Sequence, residues 1–120
     1  MTIVEQVRDG VVQLELAGRM DFHARSSFMT AVDQAAQSKP HSILMNFSDV
    51  TFIDSAALGG LVLAQRRFQR IGGKLGIIAP MGFVRDILEL TEIHEWIPIF
   101  TCEDEAWKSF EGQGDSTEAS

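Results

Sequence analysis

A carboxylate followed at once by a hydroxyl, Asp54-Ser55, stands between the apolar Phe52-Ile53 and the small-residue stretch Ala56-Ala57-Leu58-Gly59-Gly60. Such a pair can cap a helix, because Asp and Ser oxygens accept from the free N–H groups of a first turn. A serine placed there can also be a nucleophile or a phosphate acceptor. Nucleophilic catalysis is disfavoured. The Gly-x-Ser-x-Gly elbow is missing, since Ile53 and Ala57 occupy the glycine places, and no His–Asp pair is placed by sequence to activate the hydroxyl. Gly72-Gly73-Lys74 is no phosphate loop. Its glycines follow a helical pattern and open a strand, and Leu75, not Ser or Thr, follows the lysine; the pattern predicts a helix C-cap. His23, His41 and His94 are far apart and lack metal-ligand spacing. Cys102 is the single cysteine, which excludes an internal disulfide and a cysteine zinc site and is expected to be a partly buried, inert thiol. No cofactor and no metal is expected, and the chain is expected not to be an enzyme.

The bulk numbers narrow the partners. The 120 residues are 45% hydrophobic and 22% charged, enough for one core. The formal net charge of −7 argues against nucleic acid, whose phosphates require a basic footprint. No run approaches the roughly 18 apolar residues of a membrane span. Glu5, Arg8 and Asp9 interrupt the N-terminal apolar residues, so no signal peptide is expected and a cytoplasmic location is.

The elements that would hold Asp54-Ser55 follow from periodicity. Thr2 to Val7 reads as a strand, Arg8-Asp9-Gly10 as a hairpin turn, and the alternation of Val12, Leu14 and Leu16 with Gln13 and Glu15 as a strand with one buried face. A helix is predicted from about His23 to Gln37 on Phe28, Val32 and Ala35, broken by Ser38-Lys39-Pro40. Ser42 to Phe47 reads as a strand buried on both faces, with Ser48 to Asp54 as a loop. Ala57, Leu61, Ala64, Phe68 and Ile71 mark one face of a helix from Ser55 to the Gly72-Gly73 stop. Lys74 to Ala79 is a further strand. Phe83, Ile87 and Leu90 mark a short helix, and Ile93, Trp96, Ile97, Ile99 and Phe100 a last apolar segment that is partly strand. Ala106, Trp107 and Phe110 would face the body from a final helix over 103–110. A hairpin followed by alternating helices and strands predicts an α/β fold, with a mostly parallel central sheet, an N-terminal antiparallel hairpin and covering helices. One domain over 1–110 and a disordered acidic tail over 111–120 are expected.

Within that frame the first turn after Ser55 is unusual. Gly59 and Gly60 each cost about 1 kcal/mol relative to alanine inside a helix. Close approach of another backbone, or packing of the helix on its own sheet, would account for them. Leu58 and Val62 lie off the main apolar stripe and are expected to form an exposed patch beside Ser55. Arg66, Arg67 and Arg70 read as a solvated face near the helix C-terminus.

The run Asp54-Ser55-Ala56-Ala57-Leu58-Gly59, before a long helix ending Ile71-Gly72-Gly73, resembles the signature of STAS domains, closest to bacterial anti-sigma factor antagonists. Leu16-Ala17-Gly18-Arg19-Met20-Asp21 is similar to the family's Leu-x-Gly-x-x-Asp after the second strand, and Asn46-Phe47-Ser48-Asp49-Val50 to its strand-to-loop approach. The late helix, Val84 to Leu90 before Ile93, fits as well, so the likeness spans roughly residues 2 to 110. It departs at Ala56 and Ala57, where the family often has Ser or Thr and then Gly. The second hydroxyl is lost, leaving Ser55 as the single candidate phosphosite.

The resemblance implies partner switching. Ser55 would be phosphorylated by an anti-sigma factor with serine kinase activity and restored by a serine phosphatase. The unphosphorylated chain would bind the anti-sigma factor and free the sigma factor. Asp21, Asp54, Ser55, Leu58, Gly59 and Val62 are the implied partner-binding residues, Asp21 as the loop acid near the serine. A STAS scaffold without phosphorylation, as an accessory subunit of a transporter or sensory complex, is the alternative. Neither reading fixes the oligomeric state.

Overall fold

A computed structural model describes residues 1–37 and 42–110. The predicted Ser38-Lys39-Pro40 break and the acidic tail lie outside these residues. Strand β1 (Thr2–Arg8) pairs antiparallel with β2 (Val11–Met20). The connecting pair Asp9-Gly10 has φ of 53° and 77°, the backbone of a type I′ turn, which suits Asp-Gly and the right-handed twist of the flanking strands. From β2 onward all pairings are parallel, to β3 (Ser42–Ile53), β4 (Lys74–Ile78) and β5 (Ile99–Phe100), in sheet order β1-β2-β3-β4-β5.

Each parallel step is bridged by a helix: α1 (Arg25–Gln37), α2 (Ser55–Arg70) and α3 (Gly82–Leu90). Crossovers of one hand that progress in one direction place all three on the same sheet face. There Leu14, Leu16, Met45 and Phe47 of the sheet pack with Phe28, Leu61, Phe68 and Leu88 of the helices. The opposite face is covered by a helix over 103–110, termed α4, whose Ala106, Trp107 and Phe110 pack on Val11, Leu44 and Ile78 as predicted.

That second layer corrects the reading of β2 as buried on one face. Val11 and Gln13 are also buried, beneath α4. Gln13 is accommodated because its amide is satisfied: Oε1 accepts from Trp107 Nε1 at 2.9 Å, and Nε2 donates to Glu103 at 2.9 Å and to Glu15. Asn46 Nδ2 donates to the same Glu103 oxygen at 3.2 Å, and the Arg8 guanidinium lies 4.0 Å from the Trp107 ring centre. Buried polar groups that meet partners in this way fix the position of a helix that apolar contact alone would leave free to slide.

Of the expected loop from Ser48 to Asp54, Ser48 to Ile53 is instead the second half of β3, and only Asp54 lies outside the strand. Two register shifts against β2, between Glu15 and Ala17 and between Gly18 and Arg19, each give β3 one extra residue. Such bulges bend a strand and re-aim its side chains, which hides the period-two pattern from the sequence. In α3 the buried residues are Val84 and Leu88, with Ile87 half-buried; Phe83 and Leu90 are exposed, contrary to the predicted stripe. Trp96 and Ile71 are likewise exposed. Ile71 is the C-cap residue of α2, where the chain leaves the helix: Gly73 N–H donates to Phe68 O at 2.7 Å and Gly72 N–H to Gln69 O at 3.1 Å. With Gly72 at φ 75°, this is the glycine stop that Gly72-Gly73 predicts.

Candidate functional site

Parallel strands end side by side, and the carboxyl ends of β2 and β3 carry the two acids singled out by the sequence. Met20 pairs with Ile53, so Asp21 and Asp54 leave the sheet next to each other. Both are helix caps. Asp21 Oδ1 accepts from His23 N at 3.0 Å and Ala24 N at 3.3 Å, closing a 3-10 turn (Phe22–Ala24) that leads into α1. Asp54 Oδ1 accepts from Ala57 N at 2.9 Å and caps α2. Its other oxygen, Oδ2, accepts from Phe22 N at 2.9 Å. One carboxylate therefore clamps the β2–α1 turn to the N-terminus of α2.

Partial desolvation pushes the Asp21 carboxyl pKa up. The N–H groups of Ala24 and His23, the His23 charge and the Arg19 guanidinium together outweigh it and hold the group below the usual carboxylate range. Arg19 Nε lies 3.5 Å from Asp21 Oδ2, and its guanidinium also stacks 4.0 Å from the centre of the Phe52 ring.

Ser55 is the first residue of α2 and is exposed. Asp54 already serves the Ala57 N–H, and Leu58 N–H makes the first helical bond, to Asp54 O at 3.0 Å. The N–H groups of Ser55 and Ala56 precede that bond and have no helical acceptor. The hydroxyl thus stands at the positive end of a 16-residue helix, on a backbone held by Asp54.

Gly59 is exposed, and a Cβ built there meets nothing within 4 Å. Gly60 is buried, and its Cβ would lie 3.7 Å from Phe28, an ordinary contact. Packing within the domain requires neither glycine, so of the two alternatives, packing of the helix on its own sheet does not account for them. Leu58 and Val62 are half-buried and pack against the main core rather than forming an open patch. The exposed apolar surface beside the caps is aromatic instead. Phe22 is 69% exposed, and Phe83 is 51% exposed and stacks on Phe52 with ring centres 5.8 Å apart. Phe22 follows Asp21 in a turn, where an aromatic residue has no core to fill. That misplacement is the one signal the sequence offered for it. Arg67 is not simply solvated, since its Nε lies 2.9 Å from Asp33 of α1. Cys102 is exposed, not partly buried. His41 lies outside the described residues, among which no group of three or more His, Cys, Asp or Glu is placed to hold a metal. No helix among them is long and apolar enough to cross a membrane.

A family model for the STAS domain matches residues 2–106 of this chain, from β1 into α4. The chain belongs to the STAS domain family. Its STAS relatives include an anti-sigma F factor antagonist of Paenibacillus polymyxa, 23% identical over 95 residues that span 78% of this chain and 81% of that one. The fold is shared with an anti-sigma factor antagonist from Mycobacterium paratuberculosis, at 21% identity and a TM-score of 0.82, over 90% of this chain and 92% of the other. It is also that of the anti-sigma factor antagonist SpoIIAA in its unphosphorylated form, at 21% identity and a TM-score of 0.80, over 92% and 97% of the two chains. SpoIIAA has been solved in a phosphorylated form as well. At these identities the solved structures establish the STAS fold, and the curated relative links the family to anti-sigma factor antagonism.

Proposed function

We propose that this STAS domain is an anti-sigma factor antagonist that works by partner switching in the cytoplasm, with Ser55 as its switch and no catalytic activity of its own. The observation that carries the reading is the position of Ser55: exposed, first in α2, and beside a capping Asp54 that fixes the backbone without using the hydroxyl. In this reading the unphosphorylated face, made of Asp21, Asp54, Ser55, Leu58, Gly59 and Val62, binds an anti-sigma factor that is also a serine kinase. The open space over Gly59 admits the partner's backbone, and the half-buried edges of Leu58 and Val62 supply apolar contact.

Phosphorylation adds about −1.5 to −2 charges to Ser55. The domain tolerates them, because the helix N-terminus and its free N–H groups favour an anion. The docked partner does not, because a dianion would be desolvated at an apolar contact and would face the nearby Asp21 and Asp54. A loss of about 3 kcal/mol weakens binding more than 100-fold. Fold and binding are thereby uncoupled, and a serine phosphatase resets the switch.

Co-purification from the native cells, with mass spectrometry of both the partner and Ser55, tests this assignment. A bound anti-sigma kinase, and a pool phosphorylated at Ser55 that lacks it, is the expected result. A stable transport or sensory complex with unmodified Ser55 would replace the switch by a scaffold.

A further inference from the structure

A cavity of about 590 Å³ opens beyond the carboxyl ends of β4 and β5, the sheet end at which open α/β folds place ligands. Its volume lies within the roughly 300–1,000 Å³ of small-molecule sites. Pro80, Met81, Ile99 and Phe100 supply a mainly apolar wall. The polar groups are few: Arg85 and Glu89 from α3, His94 from the short 3-10 turn after it, and Thr101. Few, separated polar groups on an apolar wall fix the orientation of a ligand that has one polar end.

Two details set the chemistry of that end. Arg85 and His94 both line the cavity, and with Glu89 its formal charges sum to zero in a chain of net charge −7, so an anion meets less repulsion there than over the acidic surface as a whole. The only carboxylate in the lining, Glu89, is engaged with Arg85, whose Nε donates to Glu89 Oε1 at 3.1 Å. The pair sits one turn apart on α3 and leaves the terminal guanidinium nitrogens without an acceptor among the described residues. A guanidinium held through Nε presents the planar fork that matches a carboxylate. The cavity wall is also strained. Ala79, at φ 53°, holds a left-handed conformation that costs a residue with a Cβ, and strain of this kind collects at ligand sites.

We propose that this cavity binds a small carboxylic acid with an apolar body, its carboxylate on Arg85 and His94 and its body on Met81, Ile99 and Phe100. The assignment does not depend on Ser55. It places a small-molecule site on the same sheet end as the switch, across α3 from the Phe52–Phe83 stack.

Titration of the ¹⁵N-labelled full chain with 2-naphthoate, and separately with its neutral isostere 2-naphthamide, tests it. The expected result is saturable amide shifts centred on Ala79, Met81 and Thr101, with the acid bound at least about tenfold more tightly than the amide. Arg85→Gln, at an exposed position, should bring the acid to the level of the amide and leave the amide unchanged. Equal affinity of acid and amide, shifts centred elsewhere, or no saturation at millimolar ligand would overturn the proposal. The comparison of acid and amide uses the unaltered chain and stands whether or not the variant folds.

Discussion

Replacing Asp54 by alanine removes three things that the structure counts separately. The first is the N-cap bond to Ala57 N, worth about 1 kcal/mol. The second is the charge-assisted bond from Phe22 N, worth about 1.5 kcal/mol at its lower end. The third is a negative charge at the start of α2, worth about 0.5 kcal/mol. Asp54→Ala should therefore cost about 2–3 kcal/mol, a fall in melting temperature of about 8–12 °C for a chain of this length. Asp54→Asn separates the contributions. Its side-chain oxygen can still cap Ala57, but its amide nitrogen cannot accept from Phe22, so about 1.5–2 kcal/mol should be lost. Urea unfolding of the three proteins, with slopes compared to exclude changes in the unfolded state, measures both numbers. A cost below about 0.5 kcal/mol for the alanine variant would refute the clamp, and would reduce Asp54 to an ordinary surface acid.

Further outcomes follow from the same geometry. Gln13→Leu strands the buried Trp107 N–H and should cost about 1–3 kcal/mol. Adding Trp107→Phe removes the stranded donor, so a double-mutant cycle by urea unfolding should show a coupling above about 0.5 kcal/mol. Gly72→Ala forces a Cβ into φ 75° and should lose about 1 kcal/mol by thermal unfolding. Because the folded Asp21 carboxyl lies below its ordinary value, its contribution to stability is present above the unfolded value near 4 and is lost as pH falls through the folded one. Asp21→Asn should accordingly be less stable than the parent at neutral pH and converge with it in acid, as followed by denaturant midpoints across pH.

Local patterns were legible where one element decides its own structure. The Asp9-Gly10 turn, the Gly72-Gly73 stop, and the buried Phe28, Leu61, Ala64 and Phe68 follow from propensity and spacing alone. That one of Asp54 and Ser55 caps α2 was legible for the same reason, and the structure selects Asp54. What sequence did not show depends on partners distant in the chain. The second half of β3 is disguised by bulges against β2. Gln13 is buried by a helix some 90 residues later. Val84 and Leu88 face the core of α3 instead of Phe83 and Leu90, because three-and-four spacing permits either phase and only the docked sheet selects one. At the candidate site, Asp54 and Ser55 were nameable from their residue types, and Asp21 only from the family resemblance. The aromatic surface of Phe22 and Phe83 arises only when the turn after β2, the end of β3 and the start of α3 meet. The retreat of Leu58 and Val62 into the core margin has the same origin.

A phosphate on Ser55 is expected to abolish partner binding without unfolding the domain. Calorimetric titration of the cognate anti-sigma factor with the unmodified chain, and with a chain carrying phosphoserine at position 55, measures it directly. The phosphorylated chain should show unchanged circular dichroism and an affinity at least about 100-fold weaker. Equal affinities for two folded proteins would contradict it.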